Sequence, residues 1–206
     1  IHQAANQVGR ASRHIEWLKS NFDTVSRLEV QLTPVFDSFV ESLPAVANAE
    51  ERFMTLGYTR ARLRMTTLYY FAALKGYLVA GTGNKVEDFG VGFYTKYGDG
   101  GVDLSPIADL LKTEVYEIAK FLGVNEEIIK AAPTDGLWGD NRTDEDQIGA
   151  SYPELEWAMS MKDMGKTIDN FSGREKEVFT IFSRLNDANQ HKMVPIPVCK
   201  IPKTLL

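Results

Sequence analysis

A short glycine-containing segment, residues 81–87, carries side chains suited to binding a phosphorylated ligand. It reads Gly-Thr-Gly-Asn-Lys-Val-Glu and directly follows a compact apolar run at residues 77–80. An apolar run placed after a helix and before a glycine-containing turn is typical of a buried strand in a parallel α/β sheet. The segment would then lie at the carboxyl edge of the sheet, where the ligands of α/β proteins bind. Thr82 offers a hydroxyl at that edge, and Glu87 offers a carboxylate that could face a metal ion.

The same segment also partly matches the dinucleotide-binding fingerprint of a Rossmann oxidoreductase. Gly81 and Gly83 have the required spacing, and Asp103 follows about twenty residues later. The third glycine position holds Val86, however, and the residues after it are too rich in glycine for the helix that the fingerprint requires. A Rossmann oxidoreductase and a plain turn are therefore both alternatives at this point.

A second loop, residues 95–103, combines Lys96, Asp99 and Asp103 with three glycines. The two aspartates do not have the spacing of an EF-hand calcium loop. Packing alone does not explain this composition, which makes the loop a candidate ligand-binding segment. The alternative is a solvated turn.

One arginine on a predicted long helix is also a candidate for ligand binding. At about 100° per residue, Arg62 shares a helix face with Tyr58, Met65 and Tyr69, while the arginines two residues before and after it point away. An arginine within a partly apolar stripe usually has an acidic or phosphate partner. The alternative is a snorkelling or internally paired arginine.

Hydrophobic periodicity and capping signals predict a mainly helical chain that also contains strands. The predicted helices cover residues 8–22, 35–43, 48–74, 112–122, 126–132, 154–161 and 175–189. The predicted strands are residues 28–32 and 77–80, and residues 81–103 and 133–149 are predicted to be loops. For a chain of 206 residues this indicates a single α/β domain over residues 1–206, with a parallel sheet flanked by helices.

Composition excludes several classes of protein. The net charge is −5, whereas a general nucleic-acid binder needs clustered lysine and arginine. The longest apolar-leaning run, residues 65–74, is about half the ~20 residues that a membrane span requires. Cys199 is the single cysteine, which excludes an internal disulfide and favours a reducing, cytoplasmic setting.

Taken together, these segments resemble the ammonia-dependent NAD synthetases, a family of N-type ATP pyrophosphatases. The resemblance is close over residues 60–192 and loose over the first sixty. It rests on segments that occur in the family's order: RARLRM (60–65), LVAGTGNKVED (78–88), FYTKYGDGGVDLSPIADLLKTEV (93–115), PTDGLW (133–138), TDED (143–146) and HK (191–192). Other ATP pyrophosphatases, such as GMP synthetase, do not carry this combination. The resemblance implies an adenine nucleotide alpha hydrolase-like, Rossmann-like fold.

The resemblance also implies roles toward ATP and its metal ion. Thr82, Lys112 and Thr134 match positions that contact ATP, and Glu87 matches a ligand of Mg²⁺. The pair at residues 144–145 falls on a mobile segment that covers the site in the family.

A second set of positions matches the site for deamido-NAD. These are Arg62, Lys96, Asp103, His191 and Lys192, and Asp99 lies in the same loop. The spacing between Thr82 and Lys96 is one residue longer than in some family members, so the geometry of the intervening loop is not predicted.

The implied reaction is the amidation of deamido-NAD by ammonia, which yields NAD, AMP and pyrophosphate through an adenylated intermediate. Its first step brings a carboxylate to the phosphates of ATP, so cations must offset their repulsion; Glu87, through Mg²⁺, and Lys112 suit that role. The second step needs neutral ammonia, whereas ammonium dominates at neutral pH. Asp99 is the candidate that accepts its proton, which makes Asp99 and Lys112 the candidate catalytic residues.

This sequence departs from the family in one respect, because the Ser-Gly-Gly-x-Asp-Ser loop that cradles pyrophosphate is not found in these 206 residues. We therefore expect the natural protein to contain residues before Ile1 that complete the middle of the sheet. A catalytically silent module that keeps the deamido-NAD site is the alternative. No glutaminase domain is recognised in this sequence, so free ammonia is the implied nitrogen donor.

A homodimer is also expected. The predicted long helix carries apolar or aromatic residues on several faces around residues 58–70, more than one neighbouring element would cover. The resemblance implies that deamido-NAD binds at a two-fold interface with residues from both subunits.

Overall fold

The computed structural model describes residues 1–134, 136 and 142–205, and helices dominate this part of the chain. The α-helices are α1 (Ala5–Asn21), α2 (Thr33–Ser42), α3 (Ala49–Lys75), α4 (Lys112–Phe121), α5 (Glu126–Ile129), α6 (Asp144–Ile148), α7 (Tyr152–Asp163) and α8 (Gly173–Met193). A π-helix spans Val86–Val91, and short 3₁₀ turns span Ile168–Asn170 and Lys203–Leu205. Within the described ranges, no helix is long and apolar enough to cross a membrane.

The predicted strands are reduced to a single parallel bridge between Ala80 and Leu104 in the described part of the chain. Residues 28–32 have no regular secondary structure, so the strand prediction there is wrong. The run at residues 77–80 pairs only through that bridge, and of its apolar side chains Val79 is buried, whereas Tyr77 and Leu78 are exposed. The parallel direction agrees with the predicted sheet, but a sheet flanked by helices stays a prediction.

Local capping sets both ends of the long helix α3. The side chain of Asn48 accepts hydrogen bonds from the backbone N–H groups of Glu50 and Glu51, which satisfies donors that have no partner within the helix. Gly76 adopts φ +65° at the other end, in the left-handed region that favours glycine. The predicted helix at residues 48–74 is therefore confirmed to within one residue.

The π-helix Val86–Val91 lies where a loop was predicted, and contacts from both sides hold it. Asn84 is buried, and its Oδ1 accepts hydrogen bonds from the first two backbone N–H groups of the π-helix, at 3.0 and 3.1 Å. At the other end, α8 supplies Asn186, which donates to the carbonyl of Gly90 at 2.6 Å, and Asn189, which donates to the next carbonyl at 2.8 Å. These side chains satisfy backbone carbonyls that a short helix leaves open.

The hydrophobic core lies between the π-helix, α7 and α8. Its buried members include Val86, Val91, Tyr152, Leu155, Ala158, Val178, Phe179 and Phe182. Because Glu87 and Tyr152 belong to two of these elements, this core fixes the relative positions of the polar groups described next.

Candidate functional site

Glu87 is the centre of a half-buried polar cluster beside the π-helix. Its Oε1 accepts hydrogen bonds from Lys112 Nζ at 3.0 Å and from the Tyr152 hydroxyl at 2.5 Å. Its Oε2 accepts a hydrogen bond from the backbone N–H of Asn84 at 3.2 Å. Only 14% of the Glu87 side chain is exposed. Its three hydrogen bonds hold the carboxylate in one orientation, and the ammonium of Lys112 compensates its charge, as a mostly buried carboxylate requires.

Lys112 is the first residue of α4, and its side chain is 20% exposed. Its ammonium lies 3.0 Å from Glu87 and 4.8 Å from the centre of the Tyr152 ring, within range of a cation–π contact. A lysine at a helix N-terminus faces the positive end of the helix dipole, which is unfavourable. The structure thus joins the residue predicted to contact ATP to the predicted metal ligand.

The segment at residues 142–149 meets this cluster through α6, a helix where a loop was predicted. Thr143 and Asp146 form a reciprocal capping box that starts the helix. Asp144 is buried, and its Oδ2 lies 3.2 Å from the Tyr152 hydroxyl. Glu145 Oε1 accepts a hydrogen bond from the Tyr152 backbone N–H at 2.8 Å.

Tyr152 is a site residue that the sequence analysis missed. Burial raises the pKa of its hydroxyl, and the neighbouring carboxylates of Glu87 and Asp144 raise it further. The hydroxyl therefore keeps its proton and can donate to a carboxylate throughout the neutral range. No local pattern marks this tyrosine, because its partners come from 65 and 8 residues away in the sequence.

A cavity of about 480 Å³ is lined in part by Lys112. It lies between α1, α4 and residues 128–136, and its polar lining includes Gln3, Gln7, His14, Lys112 and Thr134. Its size is in the range of small-molecule sites. The Nδ1 atom of His14 is buried and has no hydrogen-bond partner within the described ranges, so this wall of the cavity offers an unused polar group.

The two predicted threonines differ in their relation to this cavity. Thr134 lines it, and its hydroxyl donates to the carbonyl of Arg142 at 3.2 Å and accepts from the N–H of Gly136 at 3.2 Å. Thr82 is exposed on its loop and does not line the cavity. Residues 135, 137 and 138 of the predicted segment 133–138 lie outside the described residues.

The loop at residues 95–103 packs against α3 and the end of α8, where it brings together Arg62, Lys96 and His191, three of the residues predicted to bind deamido-NAD. Arg62 Nε donates to the carbonyl of Lys96 at 3.2 Å, and Lys96 Nζ donates to the carbonyl of His191 at 2.5 Å. The Arg62 face of α3 therefore meets this loop, and the protein partner of Arg62 there is a backbone carbonyl and not an acidic side chain. Tyr97 follows with φ +62°, a left-handed conformation that is uncommon for residues other than glycine.

Glycines allow the close approach of this loop to α3. A Cβ atom at Gly98 would lie 2.9 Å from the Cβ of Ala61, and one at Gly101 would lie 3.0 Å from Cγ of Met65. The glycines of the loop therefore serve packing as well as any ligand contact.

Lys192 lies deeper than Lys96. Its Nζ donates to the carbonyls of Gly92 and Tyr94, both at 2.7 Å, and the Tyr94 hydroxyl donates back to the Lys192 carbonyl at 2.5 Å. Burial lowers the pKa of the Lys192 ammonium, and the charge of Asp99 partly offsets that shift. These hydrogen bonds connect the end of α8 to residues 92–94, which lie between the π-helix and the loop at residues 95–103.

Both carboxylate oxygens of Asp103 accept hydrogen bonds. Its Oδ1 accepts from the Tyr69 hydroxyl at 3.0 Å, and its Oδ2 accepts from the Val79 N–H at 2.8 Å. The carboxylate thereby connects α3 to the chain next to the Ala80 bridge, so the structure shows a positioning contact for this residue.

Two aspartates in this region have raised pKa values. Burial raises the pKa of Asp99, while hydrogen bonds from Thr95 oppose the shift; one of these is the Thr95 N–H at 3.0 Å. Burial raises the pKa of Asp88 to about 6, and the charges of Glu87 and Asp99 add to the effect. The sequence analysis did not single out Asp88, whose carboxylate fills the space that a side chain at Gly83 would need.

The residues around Tyr152 fit a magnesium ion in the chemistry of their donors. Within the described ranges, no group of three or more histidine, cysteine, aspartate or glutamate side chains is placed to hold a metal. Glu87 and Asp144 nevertheless present two carboxylates on either side of one hydroxyl. Mg²⁺ is usually held by only one or two protein carboxylates, with substrate phosphates and water as its other ligands.

Comparison with known proteins identifies relatives over most of the chain. A sequence model of the NAD synthase family matches residues 7–195. The NH(3)-dependent NAD(+) synthetase of Carboxydothermus hydrogenoformans is 45% identical over 137 residues, which are 66% of this chain and 56% of that protein. The enzyme of the same name from Thermoplasma acidophilum is 37% identical over 183 residues, 84% of this chain and 71% of that protein. The chain thus spans a little over half the length of the first of these relatives.

A solved structure supports the same relationship at the level of fold. The NMN synthetase of Francisella tularensis matches with a TM-score of 0.77 at 28% identity, over 98% of this chain and 75% of that one. The overall fold is therefore shared with that solved structure over nearly the whole of this chain.

Proposed function

Because this chain belongs to the NAD synthase family, we propose that it catalyses the ATP-dependent amidation of deamido-NAD by ammonia. The reaction makes a C–N bond and releases AMP and pyrophosphate. The observation that carries the proposal is the contact of Lys112 with Glu87 beside a cavity of about 480 Å³. Family membership contradicts the alternative of a Rossmann oxidoreductase.

The adenosine part of ATP occupies the cavity in this proposal. Glutamine amides suit the paired donor and acceptor at the edge of adenine, and Gln3 and Gln7 both line the cavity. His14 adds a buried nitrogen that needs a partner. The phosphates then extend toward Lys112, at the border between the cavity and Glu87, with Thr134 on the wall and Thr82 on the exposed loop.

Glu87 and Asp144 would hold a Mg²⁺ ion, which supplies positive charge where the carboxylate of the substrate meets the phosphates. Lys112 contributes to the same charge balance through its ammonium. A cation at this position stabilises the charge that develops during adenylation, and it does so more strongly in a half-buried site than in water.

The cationic group formed by Arg62 in the middle of α3 and Lys96 in the adjoining loop, with His191 beside it near the end of α8, binds the other substrate. Arg62, Lys96 and His191 adjoin one another, so that they can bind the phosphates of deamido-NAD, and Lys192 and Asp103 hold the surrounding backbone. Arginine and lysine are the usual partners of phosphate. Asp99 lies in the same loop and has a raised pKa, which suits a group that accepts the proton of ammonium.

The exposed apolar surface of α3 supports a homodimer. Tyr58, Leu68, Tyr70 and Leu74 are all more than a third exposed, and three of them are more than half exposed. Apolar side chains exposed on more than one face of a helix favour an interface. We place the protein in the cytoplasm, where its single exposed cysteine, Cys199, would stay reduced.

A second candidate substrate is nicotinate mononucleotide, the corresponding acid of NMN. The observation that favours it is the match with an NMN synthetase over 98% of this chain at a TM-score of 0.77. The chemistry at Glu87 and Lys112 would be the same, because both substrates present the same nicotinate carboxylate. The two candidates differ in whether the cationic group must accommodate an additional AMP moiety.

An assay with the two substrates side by side tests both candidates. Purified protein is incubated with ATP, Mg²⁺, ammonium and either deamido-NAD or nicotinate mononucleotide, and the amide and AMP are quantified. Formation of NAD with equimolar AMP supports the main proposal, and preferential formation of NMN supports the second. Binding of deamido-NAD without formation of an amide from either substrate would instead identify a catalytically silent module.

A further inference from the structure

The Tyr152 hydroxyl lies between two carboxylates but has only one proton to donate. It donates to Glu87 Oε1 at 2.5 Å, and Asp144 Oδ2 lies on its other side at 3.2 Å. A tyrosine hydroxyl is a donor of a single hydrogen bond, whereas an ionised carboxylate only accepts. The hydroxyl can therefore serve either carboxylate, but not both at once.

The acceptor capacity of Glu87 is nearly filled by protein groups. Oε1 already accepts from Lys112 and Tyr152, and Oε2 accepts from the Asn84 N–H. A carboxylate has about four lone-pair sites. A cation that approaches Oε1 must therefore replace one of its two donors.

Tyr152 is also joined to the segment 142–149 through its backbone. Its N–H donates to Glu145 Oε1 at 2.8 Å, and Asp144 and Glu145 both belong to α6. The side chain is buried in the core that α7 shares with the π-helix and α8. Tyr152 is thus a fixed point between the π-helix that carries Glu87 and the helix that follows residue 143.

We propose that Tyr152 is a positioning residue that orients Glu87 for Mg²⁺ and would pass its hydrogen bond to Asp144 if Glu87 turned toward the ion. Binding of the ion then stabilises α6 against the site, because the hydroxyl gains an acceptor on that helix. The inference rests on the proposed function only for the identity of Glu87 as a magnesium ligand. It makes Tyr152 the connection between metal binding and the segment 142–149.

The test measures metal binding and the order of that segment directly. Mn²⁺ serves as the probe, and its binding is followed by electron paramagnetic resonance in the presence of a non-hydrolysable ATP analogue. Hydrogen exchange of the amides of residues 142–149 is measured with and without Mn²⁺. Tyr152→Phe should weaken Mn²⁺ binding roughly 10- to 100-fold, the usual cost of losing a residue that orients a metal ligand. It should also abolish the protection that Mn²⁺ gives to these amides.

Two further variants separate positioning from a structural effect. Tyr77→Phe removes a hydroxyl from an exposed tyrosine outside the proposed site and should leave both readouts unchanged. Asp144→Ala removes the second acceptor together with a carboxylate proposed to hold the ion, and its effect on Mn²⁺ binding should be non-additive with that of Tyr152→Phe, because the two residues act through one hydrogen bond. Thermal unfolding without metal verifies that each variant is folded.

Several outcomes would overturn the inference. Wild-type affinity for Mn²⁺ in Tyr152→Phe would show that the hydroxyl does not orient Glu87. Weak binding with the amide protection retained would show that the hydroxyl does not connect the metal to α6. Absence of Mn²⁺ binding by the unaltered protein would refute both the magnesium assignment and this inference, whereas the amidation assay would still report on the proposed reaction.

Discussion

Replacing Lys112 with methionine separates its role toward ATP from its role in stability. The substitution keeps most of the aliphatic volume of the side chain and removes the ammonium that contacts Glu87 at 3.0 Å. Both partners are mostly buried, at 20% and 14% exposure, so the loss of charge is felt in the folded state. The variant leaves Glu87 with two other donors, from Tyr152 and the Asn84 backbone.

The expected cost in stability is moderate. Breaking a fully buried ion pair by removing one partner costs about 3–5 kcal/mol. Because Glu87 keeps two of its three hydrogen bonds, we expect about 1–3 kcal/mol, in the range for one lost hydrogen bond to a charged group. Relief of the unfavourable lysine at the start of α4 offsets part of this cost. For a chain of this size the midpoint of thermal unfolding should fall by roughly 2–10 °C.

The expected cost in catalysis is larger than the cost in stability. Loss of one charge-stabilising group aimed at the transition state lowers kcat by about 10²- to 10³-fold. The assay measures AMP formation at saturating ATP and substrate, at a temperature where the variant is folded. Lys120→Met is the matched control, because it removes a lysine of the same helix from an exposed pair with Glu117. Such a pair contributes about 0–1 kcal/mol.

The two readouts together can refute this reasoning. A Lys112→Met variant that retains near-wild-type turnover would exclude a role for this lysine in the chemical step. A variant that loses activity only in proportion to the fraction unfolded would assign the residue to stability alone. If Lys120→Met caused the same loss of turnover, the effect would belong to α4 as a whole and not to the contact with Glu87.

Three further predictions concern the nucleotide cavity, acid stability and assembly. His14→Phe should raise KM for ATP with little change in kcat, because the ring keeps its stacking on Trp17 but loses the buried nitrogen. An unchanged KM would show that His14 does not contribute to the ATP site. The pKa of Glu154 is lowered to about 2 from 4.5, first by hydrogen bonds from Arg174, so its contribution to stability is present above pH 4.5 and lost as the pH falls toward 2. Glu154→Gln should therefore flatten the acid limb of the free energy of unfolding against pH, and an unchanged limb would contradict the assignment. Light scattering at micromolar concentration should give the mass of a dimer, and Leu68→Glu on the exposed face of α3 should shift it to that of a monomer; a monomeric unaltered protein would refute the dimer.

The sequence predicted the elements whose ends are set by neighbouring residues. Asn48 and Gly76 bracket α3, and both signals act within a few residues of the helix ends. Periodicity also predicts the face of α3 on which Arg62 lies, but not its partner there, which is the backbone carbonyl of Lys96. The groups brought together around Glu87 include Lys112 and the segment at residues 144–145, as the resemblance implied.

Features that depend on distant residues could not be predicted in the same way. The sequence predicts a loop where the π-helix Val86–Val91 forms. Two carbonyls of this π-helix are satisfied by Asn186 and Asn189, which lie almost a hundred residues later and are not visible in the local pattern. Tyr152 was missed for the same reason. The strand predicted at residues 28–32 rests on alternation alone, and the pattern of one strand does not supply the partner it must pair with.

The pairing of charges at Glu87 bears on how the proposed reaction begins. Lys112 compensates the charge of Glu87, and Tyr152 donates a hydrogen bond to the same carboxylate oxygen. Mg²⁺ is positively charged, like the ammonium of Lys112, and the phosphates of ATP are negatively charged, like the carboxylate of Glu87. On the proposed function, each protein group therefore exchanges its partner for a ligand of the same sign: Glu87 takes the cation and Lys112 takes the phosphates. Neither group is left uncompensated in a half-buried site, where an unpaired charge is expensive, and this favours joint binding of metal and nucleotide over binding of either alone. Titrating the protein with Mn²⁺ in the presence and absence of the ATP analogue measures this coupling, and equal affinities in the two titrations would contradict the exchange.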